Sequence, residues 1–352
     1  MSTQRSAARA GRGSRPGFVL MAALWLLVAL GAVGLEVSLR NRTRRLATAN
    51  LLDEARARTI AEAAVEYARS RLGSAMMGRA DELRAQAAAR ATTTAARQRA
   101  HQQDMTSLFR QSDPAEDPWR EPAELVPPTV AVGDIEAAMQ LRDTGAAFNP
   151  NEADELMLRQ FFAQGLRIDY ALADELTQAI LDWRDEDDLP RINGAEGEQY
   201  TEAGAAVLPG NRPFATLDEL RHVLGMTAEL FQQMRPYLTL VSSGRINLNA
   251  APEPVLLALP GFTPVAATSL LRLRQSGRFP RSAQELRALL PASAINTLND
   301  NQREFTRRSA FTTDEIEIDV LVDLPGSPVS VHALVVVARA TTGASVVWRK
   351  IE

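Results

Sequence analysis

Hydrophobic and polar positions divide the chain into stretches of different period. From Phe18 to Leu35, eighteen consecutive residues carry no charge and no strongly polar side chain, near the lower limit for a helix that crosses a hydrocarbon core. Past Leu35 the apolar residues thin to helical spacing. Leu46, Leu51, Leu52, Ile60, Ala64, Tyr67 and Leu72 recur mostly at steps of three and four among Arg and Glu, with no glycine or proline between Leu35 and Leu72. One helix from Phe18 to about Leu72 is expected, roughly 80 Å long at 1.5 Å per residue. Residues 73–118 differ: Ala, Arg, Gln and Thr dominate and large apolar anchors are few. They read as a helical or partly mobile excursion, with the Ala/Arg-rich part at 79–112.

Beyond Trp119 the period changes twice. Val126–Val132 reads as a strand with Glu136–Leu141 as its partner. From Asn149 to about Arg307 helical spacing returns, punctuated by Pro and Gly, with helices expected over 152–164, 170–182, 216–224, 227–238, 253–259, 264–275 and 283–290. Two segments echo each other here, Gly145–Asn151 and Gly244–Asn249, each ahead of a helix–turn–helix. After Phe305 the period becomes two: Glu315–Val322, then a Pro325-Gly326 turn, then Val329–Arg339 and Ser345–Ile351. Strands on both sides of a helical block imply a small α+β domain with an all-α domain inserted between its strands. The chain then divides into a leader (1–17), the apolar-then-amphipathic helix (18–75), a first α+β part (76–145), the helical insertion (146–307) with two helix–turn–helix modules, and C-terminal strands (308–352).

Composition removes several classes of chemistry. The chain has no cysteine, so disulfides, thiolate metal sites and cysteine nucleophiles are excluded. Histidine occurs only at 101, 222 and 332, and Lys350 is the single lysine among 39 basic residues. Glycine-rich phosphate loops with a lysine, nucleophile elbows and HExxH are missing. The formal charge of −4 argues against a general nucleic-acid binder.

Two constellations are left. Asp182, Asp185, Glu186, Asp187, Asp188, Glu196 and Glu198 put seven carboxylates into seventeen residues of a Pro- and Gly-containing loop (182–200). A hard, oxygen-preferring cation, calcium above all, suits such a loop. A solvated loop neutralised by Arg184 and Arg191 and a glycosidase-type carboxylate pair are the alternatives. The second constellation, Leu259-Pro260-Gly261-Phe262-Thr263-Pro264, resembles the hairpin of helix–hairpin–helix DNA-binding modules. There Thr263 stands where a second glycine would let backbone amides approach a phosphate. The N-terminus has three readings: a secretory signal cut near Ala32-Val33-Gly34, a plain anchor, and a prepilin-type leader ending at Gly17-Phe18. Four arginines flank the apolar run on each side, so charge alone does not orient it.

Taken together, the Gly17-Phe18 junction, the long helix, Ala179–Asp187, Asn193-Gly194-Ala195-Glu196, Arg212-Pro213-Phe214, Leu217–Arg221 with Gly225-Met226, and Ile246–Pro252 resemble the minor pseudopilin K family of type II secretion systems. In pilins generally the fifth mature position is glutamate; counting from Phe18 it is Ala22 here, and the K members are the ones that lack that glutamate. The resemblance implies a pilin-like α+β domain interrupted by a large helical domain, cleavage between Gly17 and Phe18 with N-methylation of Phe18, and a non-enzymatic subunit capping the pseudopilus tip to assist assembly and protein export across the outer membrane. It further implies an inner-membrane anchor with the bulk of the chain in the periplasm. The implied partners are minor pseudopilins I and J, the prepilin peptidase and the inner-membrane secretion platform, with no nucleic acid. It implies structural calcium in the acidic loop, with Glu196 as ligand and Glu198, Asp185, Asp187 and Asp188 as further candidates. A membrane-tethered helix–hairpin–helix DNA-binding protein of an uptake system is the alternative.

Overall fold

The computed structural model describes residues 16–352. Residues 1–15, which hold most of the expected leader, lie outside the described set, as do the side-chain surroundings of residues 16–19, the expected cleavage pair Gly17-Phe18 among them, and of Thr106. Helices α1 (Pro16–Arg90), α2 (Thr94–Gln102), α3 (Met105–Gln111) and α4 (Pro122–Leu125) precede strands β1 (Thr129–Val132) and β2 (Ile135–Asp143). Next come helices α5 (Glu155–Gln160), α6 (Tyr170–Arg184), α7 (Gly197–Glu202), α8 (Ala228–Met234), α9 (Glu253–Leu256), α10 (Pro264–Gln275), α11 (Ala283–Leu289), α12 (Ala292–Asp300) and α13 (Gln302–Arg308), with two-residue strands β3 (Ile246–Asn247) and β4 (Ser309–Ala310) among them. Strands β5 (Glu315–Asp323), β6 (Ser330–Ala340) and β7 (Gly343–Ile351) end the chain.

The described chain forms two units. One comprises the residues up to Arg56 with Leu324–Val329, the other Ala57–Asp323 with Ser330–Glu352. In the first, Leu20, Leu24, Trp25, Leu27 and Leu30 are all more than half exposed, and no residue of the apolar window is buried. Such a surface is matched by a hydrocarbon environment rather than water.

In the second unit the buried residues of α1 run Ala57, Ile60, Ala61, Ala64, Val65, Ala68, Leu72, Met76 and Ala80, a stripe at helical period. Its small residues permit a close approach to β7. A Cβ on Gly73 would lie 3.1 Å from the Ala344 amide nitrogen, and Arg69 donates to the Ala344 carbonyl at 3.1 Å. The helix therefore runs past the end expected at 72–75. Gly73 and Gly78 are absorbed because Met76 and Ala80 continue the buried stripe, and the Ala/Arg-rich sequence beyond is a strong helix former. The rest of the excursion is ordered as well. Thr93 and Asp104 cap α2 and α3 by accepting from Ala96 N–H and Ser107 N–H, and Phe109 and Trp119 are buried.

The sheet is antiparallel with order β1-β2-β5-β6-β7. Neighbours β2 and β5 pair from Ala137–Val322 to Asp143–Ile316, although residues 144–314 lie between them. The expected class, an α+β domain with a helical block inserted between its strands, is what the chain adopts. Pro127 and Pro128 shorten the first strand to 129–132, since proline offers no N–H to a ladder.

The helical block contains the same local construction twice. Asn149 accepts from Asn151 N–H at 2.9 Å, and Asn247 from Asn249 N–H at 3.0 Å. Asn151 donates to Phe214 O and Asn249 to Pro280 O. Arg184, last in α6, donates to Pro150 O and Ala153 O; Arg274, near the end of α10, donates to Ala250 O and Ala251 O. Each copy closes by a parallel contact between its first and last residues, Phe148 with Leu238 and β3 with β4. The copies diverge just after the arginine. The second passes from Arg274 to Pro280 directly, whereas the first spends residues 185–211 before Phe214, and that stretch is the acidic loop.

Candidate functional site

Helix α6 starts at Asp169, whose carboxylate accepts from Ala171 N–H, and buries Leu176, Ala179, Ile180 and Trp183. The same face carries Asp182, which is fully buried. Its carboxylate accepts from Arg191 N–H at 3.1 Å and lies 3.2 Å from the Arg191 guanidinium. The loop is thereby folded back over the helix end. Asn193 adopts a left-handed conformation (φ 65°), and at Gly194 any Cβ would overlap the Asp182 carboxylate. Trp183 stacks on Phe214 (5.8 Å, 9°) and lies against Tyr200. The Tyr200 hydroxyl accepts from Leu224 N–H at 2.9 Å, and burial pushes it up to about 12.

Within this frame, oxygens of Asp185, Asp187 and Glu196 lie within 4.8 Å of one another. Glu196 is 2% exposed; its side chain faces the Gln199 backbone in a capping box at the start of α7, but neither of its carboxylate oxygens reaches full hydrogen-bond geometry, and one oxygen of Asp185 is likewise buried and unpartnered. Burial first, and then Asp182, Asp185, Asp188 and Asp187, push the Glu196 carboxyl up to about 7. Asp185 and Asp182 are also raised, chiefly by burial. Arg191 bonds Asp185 at 3.3 Å but leaves Glu196 uncompensated. Unpaired buried carboxylates are costly, and an oxygen-rich, negatively charged cluster with unfilled acceptors fits a hard cation.

Of the expected ligands, Asp185, Asp187 and Glu196 are brought together. Asp188 and Glu198 line a cleft of about 260 Å³ beside Glu196. Asp188 accepts from Asn211 at 2.8 Å, while Glu198 is exposed on the first turn of α7, outside the three-carboxylate group. Residues 197–200, expected as loop, instead open α7 at Gly197. Asp182 was not among the expected ligands, yet it stands beside the group and raises Glu196. The signal for it was its place on the apolar face of α6, three residues after Ala179 and beside Trp183. Ala22 is exposed on α1.

The second constellation is closed. Gly261 (φ 77°) faces α12, where a Cβ would come within 2.6 Å of Thr297 O and 2.9 Å of Asn301 Cβ. Thr263 caps α10 by accepting from Ala266 N–H, and Arg274 is occupied by two backbone carbonyls. The hairpin offers no open amide cradle for a phosphate.

An apolar N-terminal helix and an antiparallel sheet interrupted by a duplicated helical block are the architecture that the comparisons with known proteins share. Residues 138–243 match the family described as type II secretion system (T2SS), protein K. That match runs from β2 through the first helical module and the acidic loop. Proteins named type II secretion system protein K are 39% identical over 75 residues in Klebsiella pneumoniae (21% of this chain, 23% of that protein) and 31% identical over 133 residues in Pectobacterium carotovorum subsp. carotovorum (36% and 40%). The matched regions thus span less than half of these relatives. The structure resembles a chain of the GspK-GspI-GspJ complex from the enterotoxigenic Escherichia coli type 2 secretion system, with TM-score 0.55 and 17% identity over 85% of this chain and 99% of that one. The chain is a relative of type II secretion system protein K, as its motifs implied.

Proposed function

We propose that the chain is a non-enzymatic minor pseudopilin that caps the tip of the type II secretion pseudopilus, assisting its assembly and protein export across the outer membrane. The observation that carries this reading is the helical block between the adjacent strands β2 and β5. It adds bulk to a pilin-like domain, and in this reading that bulk bars a further subunit from stacking on it. Ala22 supports the same position. A glutamate there would need a neighbour's cationic amine within the membrane, and a terminal subunit has no neighbour above it.

In this reading the prepilin peptidase cuts between Gly17 and Phe18 and Phe18 is N-methylated. The apolar start of α1 anchors the chain once in the inner membrane, and the bulk lies in the periplasm. Pseudopilins I and J are its partners, as in the complex that the related structure describes, with the inner-membrane platform beneath. Calcium, held by Asp185, Asp187 and Glu196 with Asp188 and Glu198 at the edge, neutralises the cluster and fixes the acidic loop.

Mass spectrometry of the mature N-terminus tests the class. N-methylated Phe18 is expected, and an intact Met1 or cleavage after Gly34 overturns it. Immunogold labelling of pseudopili from overexpressing cells tests the cap: label is expected at one end, and label along the fibre rejects a terminal position.

A further inference from the structure

The two helical copies differ most in what they show to their surroundings. In the first, Leu189 is 75% exposed and Ile192 89%. No other large apolar side chain among the described residues of the second unit is exposed as far. The second copy passes the same point through Gln275, Ser276, Gly277 and Arg278, which are its exposed residues there. Single exposed aliphatics are ordinary on a protein surface. Two at the tip of one turn, in a segment that only one copy possesses, exceed that background.

The turn is held at several points. Leu189 N–H donates to the Asp187 carboxylate at 2.9 Å, and Arg191 N–H to the buried Asp182 at 3.1 Å. Gly194 N–H closes onto Arg191 O at 2.9 Å, and Asn193 reaches back to Asp174 on α6 at 3.1 Å. From the far side Asn211 donates to Asp187 O and to the Asp188 carboxylate. That ties the segment carrying Leu208, itself half exposed, to the same turn. Pro190 fixes its own φ between the two aliphatics. A backbone pinned in this way has already lost the freedom that a partner would otherwise have to remove.

Charge decides what can cover this tip. Residues 185–202 hold seven carboxylates against Arg191 alone, and one divalent cation in the Asp185, Asp187 and Glu196 group leaves them negative. The first copy as a whole (145–243) has seventeen Asp and Glu against seven Arg, the second (244–308) four against nine. Asp188 and Glu198 line a cleft together with Pro190, so carboxylates rim the turn itself. Such a rim repels an anionic lipid surface and favours a basic one. We propose that the Leu189–Ile192 turn docks into another protein, at an apolar pocket rimmed by arginine or lysine. The aliphatics fill the pocket and supply most of the affinity, while Glu186, Asp188 and Glu198 meet the basic rim and set the orientation.

The test places the photo-cross-linking residue p-benzoylphenylalanine at position 192 of the full chain, in the cells that natively make it. Position 276, in the short turn of the second copy, is the control, and mass spectrometry maps the attached peptide. One protein adduct is expected from position 192, at a peptide whose apolar residues are flanked by Arg or Lys, with roughly tenfold less from 276. Glu186→Gln together with Glu198→Gln, both exposed and outside the three-carboxylate group, should lower the yield roughly threefold. Both cross-linker positions are on the surface, and an unchanged thermal melt shows that the fold is kept. A lipid adduct, an adduct to a second copy of this chain or a mapped peptide without basic residues overturns the proposal. So does a yield no greater than at 276, or one indifferent to the two charges.

Discussion

Single residues at the junction of sheet and helical block carry measurable stability. Asp143 ends β2, is buried, and accepts from Gly145, Asn247 and Thr313. Burial outweighs these bonds and, with Asp314, pushes its carboxyl up to about 6. A carboxyl raised in the folded state binds more protons folded than unfolded, so its contribution declines as pH rises from about 4 to about 6. Asp143→Asn should flatten the urea-unfolding free energy over that window, by up to about 3 kcal/mol. Arg339 has 1% of its side chain exposed, bonds both Asp117 oxygens at 2.6 and 2.7 Å, and lies over Phe109 and Trp119. Arg339→Met strands the Asp117 charge and is expected to cost about 3–5 kcal/mol by the same measurement. In the acidic loop, calcium at about a hundredfold its Kd should add about 2.7 kcal/mol, seen as a melting temperature that chelator lowers. Glu196→Gln should abolish most of that shift, and an unchanged shift would return the loop to a solvated role. The composition of this site was legible, because seven carboxylates in one loop stand out. Its geometry was not. Asp182 enters from a helix face that reads as core, and what separates Glu196 from Glu198 is burial, which depends on how Gly194 lets the loop pass over Asp182.

At the scale of elements, period two and period 3.6 located the sheet and most helices, since those patterns report one-sided burial directly. Helix α1 does not stop at Gly73, because a glycine's intrinsic cost, about 1 kcal/mol, is small beside the packing of Met76 and Ala80. Gly73→Ala should then be close to neutral in thermal unfolding, the helix gain offsetting a tight 3.1 Å contact to Ala344. Gly73→Val adds bulk that this contact cannot absorb and should cost about 1–3 kcal/mol. Helices α12 and α13 lacked strong stop signals in sequence, and α7 hid among carboxylates. The echo between Gly145–Asn151 and Gly244–Asn249 was visible, yet its extent was not. The shared features are backbone hydrogen bonds from Arg184 and Arg274, and carbonyl acceptors leave no trace in residue types.

For the whole molecule, the apolar surface is concentrated before Arg56, and the second unit closes its own core from Ala57 onward. A chain starting at Ala57 should be monodisperse without detergent and keep its cooperative melt; aggregation or loss of the transition would contradict an independent second unit. The pairing of β2 with β5 also sets an order of events. Synthesis and export deliver β2 early, and its partner arrives after residues 144–314 have emerged. Until then the edge of β2 from Ala137 to Asp143 lacks the strand that pairs with it. Local helical contacts form faster than a closure of this length, so the inserted block should fold first and act as the clasp that brings β5 back to β2. Pulse-labelled hydrogen exchange during refolding should show α6 and α10 protected before the β2–β5 ladder. The bulk that ends a fibre in this reading is then also the part of the chain that must be finished before its own pilin-like sheet can exist.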